Sequence, residues 1–362
     1  MAAYVIPPLP PRADLETPLV LKALAGASRA LGTLNGRAES IPNQGILIDT
    51  LSLQEARASS DVENYVTTQD EVFQLGQQPA KGLEPGPRKE VARYRDALGY
   101  GHAVLRETGL LTNNTIIGMY RILKETEGGY RTTPGTVLRN DATGEVVYRP
   151  PQHPAEIRRH MDAFERYANA PPEDGLDPLV RMAILHHQFE SIHPFSDGNG
   201  RLGRIVNVLY LVHQGLLGAP ILYFSRHVTR SKADYYRLLQ AVRDDGAWEA
   251  WLLYMLTGVE RIAIETVRLI DGIHGQMATM KRLLRDERRY RFYSQDLLNN
   301  LFRHPYTRIE YVMAELGVSR PTAARYLQQL VEDGILHRVE AGRGVYFVNT
   351  PLADLFIADF GA

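Results

Sequence analysis

Apolar residues recur at every third or fourth position along most of this chain, which is the spacing of helices that bury one face. Before residue 193 this pattern predicts helices at Thr17–Leu34, Ser52–Tyr65, Val91–Thr108, Asn114–Glu125, Ala155–Asn169 and Leu176–Ile192. After residue 199 it predicts helices at Gly200–Gln214, Lys232–Asp244 and Ala247–Arg285. The protein is therefore expected to be mainly α-helical.

The pattern changes in two places. Between Thr136 and Tyr148, β-branched and aromatic residues flank the turn-forming residues Asn140–Gly144, which predicts a β-hairpin with a five-residue loop. The segment Gly76–Pro87 is rich in Gly, Pro and Gln and predicts a loop.

From about Tyr290 the elements become short. Helices are predicted at Asp296–Arg303, Ile309–Leu316 and from Ser319, a good N-cap, to Gly334. Two strands, Ile335–Val339 and Gly344–Asn349, follow around a Gly-rich turn. This order predicts a C-terminal winged helix-turn-helix.

Composition narrows the class of protein. The chain has 362 residues, of which 44% are apolar and 23% charged, and its formal net charge is −1. It has no cysteine, which excludes disulfides and thiolate zinc sites. The N-terminus lacks the features of a signal peptide, and no run approaches the roughly 18 apolar residues of a membrane span. We therefore expect a cytoplasmic protein with no membrane partner.

The segment from His193 to Arg204, His-Pro-Phe-Ser-Asp-Gly-Asn-Gly-Arg-Leu-Gly-Arg, concentrates the chemistry. Pro194 ends the preceding helix, so the segment is a loop that leads into the next helix N-terminus, which favours an anion. Gly198 and Gly200 allow the backbone to approach phosphate oxygens closely. Arg201 and Arg204, three positions apart, share one helix face and suit successive phosphates.

Two further residues of this segment suit catalysis. Asp197 is placed to bind a magnesium ion that bridges phosphates. His193, neutral near pH 7, can take a proton from an attacking hydroxyl. Phe195 is apolar within a polar loop, and we expect it to anchor the loop to the core. Together these residues predict a polyphosphate site.

The segment resembles the signature of the Fic family, His-Pro-Phe-x-Asp/Glu-Gly-Asn-Gly-Arg-x-x-Arg, at every specified position. The resemblance implies transfer of AMP from ATP, with Mg2+, to a Tyr, Ser or Thr hydroxyl of a target protein, with release of diphosphate. It implies that His193 is the general base and Asp197 the magnesium ligand. The residues that it implies as nucleotide contacts are Glu63, Gly198, Asn199, Gly200, Arg201, Leu202, Gly203, Arg204, Ser231 and Tyr235.

The same resemblance suggests a domain organisation. Residues 1–100 would form a helical N-terminal region with an inhibitory helix at about 52–65, and residues 101–260 the Fic catalytic core. A connecting helix would span 261–288, and the winged helix 289–362. The hairpin at 136–148 resembles the family's flap, which holds the target segment by strand addition.

An inhibitory motif is also indicated. Ser59, Glu63 and Asn64 fit the family's pattern Ser/Thr-x-x-x-Glu-Gly/Asn, and Ser59 and Glu63 share a helix face. By resemblance, Glu63 would pair with Arg204, the arginine that should hold the γ-phosphate. ATP could then bind only with its α-phosphate turned away from in-line attack.

Other residues near this segment allow two further interpretations, as a zinc site and as adenosine contacts. His186 and His187 are adjacent, and adjacent helical residues point about 100° apart, so we expect no shared zinc ion. Ser231 and either Tyr235 or Tyr236 lie near the adenosine by resemblance. A core position for these tyrosines is an alternative of nearly equal weight.

The C-terminal module leaves its partner open. From Lys281 to Thr350 there are 12 Lys and Arg against 8 Asp and Glu, a net charge of +4. Arg320, Arg325, Arg338 and Arg343 could meet DNA phosphates, but intervening acidic residues dilute the charge. We favour protein docking or structural support over DNA binding, and a homodimer is a further option.

The sequence is therefore consistent with three functions. The first is a protein adenylyltransferase, and the second is a DNA-binding regulator that uses the Fic core as a nucleotide sensor. The third is removal of AMP, or transfer of another phosphate-linked group. The intact His193 and Asp197 favour catalysis over sensing, because a sensor needs neither a base nor a metal ligand.

Overall fold

A computed structural model describes residues 4–41, 43–76, 80–81, 83–139, 143–171, 173–341 and 344–360. Its first part contains helices α1 to α5, at Pro18–Glu39, Gly45–Val62, Gln69–Leu75, Pro87–Thr108 and Asn113–Lys124. Strands β1 (Leu138–Arg139) and β2 (Val146–Tyr148) follow. The central helices α6 to α10 are Pro154–Asn169, Pro178–Ile192, Asn199–His213, Ser225–Arg230 and Lys232–Asp245.

The longest helix leads to the C-terminal elements. Helix α11 spans Trp248–Arg282 and continues into a π-helical turn, Leu283–Glu287. The remaining elements, in chain order, are α12 (Gln295–Arg303), β3 (Tyr306–Thr307), α13 (Ile309–Leu316), α14 (Arg320–Glu332), β4 (His337–Ala341), β5 (Gly344–Val348) and α15 (Thr350–Phe360). The expected mainly α fold is confirmed.

The core is built by helices that lie along one another. Helix α1 packs along α11, and α7 and α8 lie side by side at the centre. All but the first residue of α7 are buried, so this helix is surrounded by protein. Helix α2 packs against α4 and α9 and also reaches α12. The side chain of Thr17 accepts a hydrogen bond from Val20 N, as expected for an N-cap.

The predicted hairpin forms, and its loop lies partly outside the described residues. Strands β1 and β2 are antiparallel, with Leu138 opposite Tyr148. Residues 140–142 of the predicted loop are not described, nor are 77–79 and 82 of the loop predicted at Gly76–Pro87. Among the described residues before α11, this hairpin is the only sheet.

The helix that carries the inhibitory motif was placed wrongly. Helix α2 begins at Gly45 rather than at Ser52, because Ile46, Leu47 and Leu51 continue its buried face toward the N-terminus. It ends at Val62 rather than at Tyr65, since Asn64 adopts the left-handed conformation with φ of 65°. Asn is among the few residues that tolerate this backbone, which explains why the motif ends in Gly or Asn.

Four short elements were not predicted. They are α3, α9, β3 and α15. Helix α3 has a capping box between Thr68 and Glu71, a signal that the sequence carried and that could have been used. Strand β3 has only two residues, too few for an alternating pattern. It pairs with β5, so the C-terminal sheet has three antiparallel strands in the order β3-β5-β4.

The two strands predicted in this domain are present as β4 and β5. Residues 342–343 between them, including Arg343, lie outside the described residues. Within the described part of the chain, no helix combines the length and apolar character that a membrane span requires.

Candidate active site

The loop between α7 and α8 begins with a strained residue. His193 caps α7 in the left-handed conformation with φ of 48°, and its N–H donates to Phe189 O at 2.9 Å. Arg131 fixes this turn from the outside, because its Nε donates to His193 O at 2.9 Å and its backbone N–H donates to Pro194 O at 2.9 Å. These bonds fix the backbone of His193 at the start of the loop. The sequence analysis did not identify Arg131.

Two residues close the loop onto the core. Phe195 is fully buried and stacks on Tyr120, with ring centroids 4.1 Å apart, as its expected anchoring role requires. The side-chain amide of Asn199 accepts from Phe195 N and donates to Phe195 O, both at 2.9 Å. Asn199 was predicted as a nucleotide contact. In this structure its side chain holds the loop, and only its backbone can face a ligand.

Helix α8 begins with groups that suit an anion. It starts one residue earlier than predicted, and its N-cap, Gly198, has φ of 79°, a conformation that glycine adopts without strain. No side chain caps this end, so the first backbone N–H groups point outward without a helical partner. A methyl group added at Gly200 would lie 2.7 Å from Glu63 Oε1. The Glu63 carboxylate therefore already lies against this helix end.

Arg204 is buried and bound by two residues of the predicted inhibitory motif. Its Nε donates to Ser59 Oγ at 2.8 Å, and its Nη2 donates to Ser59 O at 3.0 Å and Glu63 Oε1 at 2.8 Å. Burial lowers the pKa of the guanidinium, but the charge and hydrogen bond of Glu63, together with Tyr235 and Tyr94, outweigh burial, so the net pKa is raised. The structure thus brings Ser59, Glu63 and Arg204 together, as the motif predicted.

The third residue of the motif turns away from Arg204. Asn64 Oδ1 accepts a hydrogen bond from Lys232 Nζ at 3.2 Å, which ties the end of the motif to the start of α10.

Arg201 is held by a residue on another helix. Its Nη1 donates to Glu90 Oε2 on α4 at 2.5 Å, and its guanidinium lies over the ring of Tyr65. Glu90 also accepts from Arg93 Nη1 at 2.5 Å. Glu90 was missed by the sequence analysis, because no local pattern links it to a residue 111 positions away.

Asp197 is accessible and partly neutralised. Its side chain is 61% exposed and forms an ion pair with Lys124. Its Oδ1 accepts from Gly198 N at 2.6 Å. Burial raises the pKa of this carboxyl, but the hydrogen bond and charge of Lys124, the hydrogen bond from Gly198 and the charge of Arg201 together outweigh burial, so the net pKa is lowered.

The donor set at Asp197 fits a magnesium ion that depends on its nucleotide. Among the described residues no group of three His, Cys, Asp or Glu side chains could hold a metal by itself. Mg2+ commonly binds one or two carboxylates and completes its shell with substrate phosphates and water. A single exposed carboxylate beside a helix N-terminus matches this mode.

Two titratable groups near the loop have strongly shifted pKa values. Burial, with the positive charges of Arg131 and Arg243, lowers the pKa of His193 to about 3. The imidazole is therefore neutral at pH 7. Burial raises the pKa of Glu190, three residues before His193, to about 7. Arg204 opposes that rise, and Glu63 adds to it. Glu190 was not singled out from the sequence.

Other predicted nucleotide contacts have packing roles in this structure. Leu202 is fully buried. Gly203 lets α8 approach α7, because a methyl group there would lie 2.9 Å from Glu190 Oε1. Tyr235 is 1% exposed and its hydroxyl lies 2.7 Å from His186 Nε2, which is the core position given above as the alternative to a nucleotide contact. Its neighbour Tyr236 is 45% exposed.

Ser231 and the two histidines are also placed. The Ser231 hydroxyl donates to His227 O at 2.6 Å and lies 2.9 Å from the Tyr254 hydroxyl. His186 and His187 are buried, and His187 Nε2 lies 3.3 Å from Leu239 O. Both histidines pack in the core.

The hairpin is fixed beside the loop between α7 and α8. The Tyr148 hydroxyl donates to Ser191 O at 2.8 Å, and Arg243 lies over the Tyr148 ring at 4.0 Å. Ser191 is two residues before His193, so the end of β2 lies close to the loop.

Three family models match this chain. The Fic/DOC family N-terminal model matches residues 21–103, and the Fic/DOC family model matches residues 110–211. The C-terminal domain model of SoFic-like protein adenylyltransferase matches residues 277–352.

Curated relatives match slightly less than half of the chain. A protein adenylyltransferase Fic from Nematostella vectensis is 27% identical over 165 residues, which are 42% of this chain and 35% of the relative. One from Culex quinquefasciatus is 30% identical over 177 residues, which are 48% of this chain and 34% of the relative. The match thus spans about a third of the length of these relatives.

Solved structures share the fold. A Fic family protein from Desulfovibrio desulfuricans G20 has a TM-score of 0.56 at 19% identity, over 94% of this chain and 98% of that chain. Fic-1 from C. elegans has a TM-score of 0.53 at 18% identity, over 73% of this chain and 75% of that chain.

Proposed function

The chain belongs to the Fic/DOC family, and from this premise we propose that it is a protein adenylyltransferase that transfers AMP from ATP to a hydroxyl side chain of a target protein. The observation that carries the proposal is the convergence of His193, Arg201 and Arg204 on one helix N-terminus. A base and two buried cations at such a place suit phosphoryl-group chemistry.

His193 would act as the general base. Its neutral imidazole can accept the proton of the target hydroxyl while that oxygen bonds to the α-phosphorus of ATP and the bond to diphosphate breaks. A pKa of about 3 makes a weak base, but bound phosphates would raise this pKa by their negative charge. Arg131 holds the His193 backbone and so fixes where the ring can reach.

The start of α8 would bind the phosphates. The free N–H groups after Gly198 and the guanidinium of Arg201 offer donors to successive phosphate oxygens. Arg204 would take the outermost phosphate once it is released from Glu63. When bound at Asp197, Mg2+ would neutralise phosphate charge and fix the phosphate geometry.

Glu63 would inhibit the enzyme from within the same chain. Its carboxylate binds Arg204 and lies against Gly200, so it fills both the cation and the helix end that the phosphates need. Two like-charged groups cannot share this place without a cost in free energy. The nucleotide would therefore bind productively only after Glu63 moves.

The hairpin would hold the target. Tyr148 anchors β2 beside His193, and an exposed two-stranded hairpin can accept a third, extended strand from a partner. Such pairing would present a hydroxyl of the target at the imidazole.

Removal of AMP is a second candidate for the same site. The Glu63 side chain is 31% exposed and lies next to the helix N-terminus that would bind the phosphate. A carboxylate in this place could also orient a water for hydrolysis. This reaction would depend on Glu63, whereas transfer of AMP would be faster without it.

The proposal is tested with ATP labelled at the α-phosphate. In the Glu63→Gly background, the account predicts stable label on protein that disappears in the added His193→Ala variant. ATP labelled at the γ-phosphate should give no stable label. Label that persists without His193, or that comes from the γ-phosphate, contradicts the proposal.

A further inference from the structure

A cleft in the C-terminal domain is separate from the active site. Its volume is about 540 Å3, and it lies between the start of α13, the exposed face of α14 and the β4–β5 sheet. Its apolar lining residues are Ile309, Ala324, Val345 and Phe347. Its basic lining residues are Arg308, Arg320, Arg325 and Arg338.

The charge of this lining is unbalanced. Glu310 is the one carboxylate among the lining residues, and it forms an ion pair with Arg320 at 2.7 Å. Arg338 pairs with Glu340, which does not line the cleft. Four guanidinium groups around one space repel one another, and an anion between them would relieve that repulsion.

Arg308 lines the cleft without a carboxylate at hydrogen-bond distance among the described residues. Its Nε is buried and has no hydrogen-bond partner within the part of the chain that the structure describes. The Oε2 atom of Glu310 lies 3.9 Å from it, beyond hydrogen-bond distance. The guanidinium of Arg308 is therefore only partly neutralised by Glu310 and can still attract an anion.

The lining also restricts the class of anion. Guanidinium groups bind phosphate through two parallel hydrogen bonds and stack on flat rings. The apolar residues between the arginines suit an uncharged, planar group. The volume is within the range of about 300–1,000 Å3 that is common for small-ligand sites. A DNA duplex presents phosphates on a convex surface and would leave the apolar lining empty.

We propose that this cleft binds a nucleoside phosphate, with its phosphate among the arginines and its base over the apolar lining. The site is independent of the proposed adenylyltransferase activity, since it shares no residue with the α7–α8 loop.

Amide hydrogen exchange on the full-length protein tests this, with AMP, adenosine and a short DNA duplex as separate probes. Millimolar AMP should slow exchange in residues 306–311 and 320–328, and adenosine should not. Exchange at 193–204 reports on the catalytic site in the same experiment, so the two sites are read separately. The exposed Arg325→Ala change should weaken the AMP effect on the cleft by about tenfold, because it removes a charged hydrogen bond.

Arg285→Ala serves as the matched control, because Arg285 is also an exposed arginine but pairs with Asp286 outside the cleft. It should leave the AMP effect unchanged. The proposal is overturned if AMP gives no protection in the cleft, if adenosine protects as well as AMP, or if only the duplex protects.

Discussion

The carboxylate of Glu63 lies 2.8 Å from Nη2 of Arg204 and lies so close to Gly200 that a methyl group there would come within 2.7 Å of it. Glu63 and Arg204 are 141 positions apart in the sequence. The side chain at the C-cap of α2 therefore covers two features of α8 that an anion would use. The proposed inhibition follows from this contact alone and needs no movement of the catalytic loop.

Ser59→Ala should weaken the inhibition partially. Ser59 Oγ accepts from Arg204 Nε at 2.8 Å, so its loss leaves Glu63 as the main side-chain partner of Arg204. We expect self-labelling with α-labelled ATP to rise several-fold, since one hydrogen bond to a charged group contributes about 1.5–3 kcal/mol and solvent replaces part of it.

Ser60→Ala is the matched control. Ser60 is equally buried on the same helix, and its hydroxyl has no hydrogen-bond partner among the described residues. A rise of equal size in Ser60→Ala would show that loosening α2, rather than freeing Arg204, caused the effect.

The sequence was sufficient to predict the parts of the site whose residues are close together in the chain or belong to a motif. It predicted the loop that carries His193 and Asp197, the helix that follows this loop, and the Glu63–Arg204 pair. It could not predict Glu90, Arg131 and Lys124, because each reaches the site from a distant segment through a side chain that helices commonly expose. It also left the position of Tyr235 open, since its place in α10 does not reveal that His186 lies at its hydroxyl.

The C-terminal domain should help to hold the inhibitory segment in place. Asp49 near the start of α2 pairs with Arg303 on α12. After the motif, Asp70 of α3 accepts from the Tyr306 hydroxyl at 2.6 Å. Contacts thus hold the segment on both sides of Glu63. Arg303→Ala should speed amide exchange in residues 45–64 and raise self-labelling, whereas the exposed Arg268→Ala should change neither. Unchanged exchange in Arg303→Ala contradicts this view.

Phe195→Ala should destabilise the fold strongly. The ring is fully buried and stacks on Tyr120, so its removal leaves a cavity beneath the catalytic loop. We expect the free energy of unfolding to fall by about 3–5 kcal/mol, measured by urea denaturation. A loss below about 1 kcal/mol would mean that Phe195 does not anchor the loop.

Stability should fall as the solution is acidified from pH 7.5 to 5.5. Burial lowers the pKa of His186 and His193 to about 3 and that of His227 to about 4. Each histidine takes up a proton near its usual pKa of about 6.5 only when unfolded, so its stabilising contribution is lost as pH falls below that value.

Glu190 acts in the opposite direction. Its raised pKa, about 7, gives a contribution that is present at low pH and lost as pH rises through that value. A net loss of stability on acidification is predicted, because more described histidines have a lowered pKa than carboxyls have a raised pKa. The histidines are His102, His160, His186, His187, His193, His213 and His227, and the carboxyls are Glu55, Asp61 and Glu190. Urea denaturation at the two pH values measures this loss of stability. Equal or higher stability at pH 5.5 would contradict the burial of these histidines.

The most direct measurement compares self-labelling with α-labelled ATP in three forms of the protein: unchanged, Glu63→Gly, and Glu63→Gly with Arg204→Ala. The account predicts a rise of about tenfold or more in Glu63→Gly, because the ion pair that occupies Arg204 is removed. It predicts that the rise is lost when Arg204 is also removed. Equal labelling of the first two forms, with label that still depends on His193, would contradict the account.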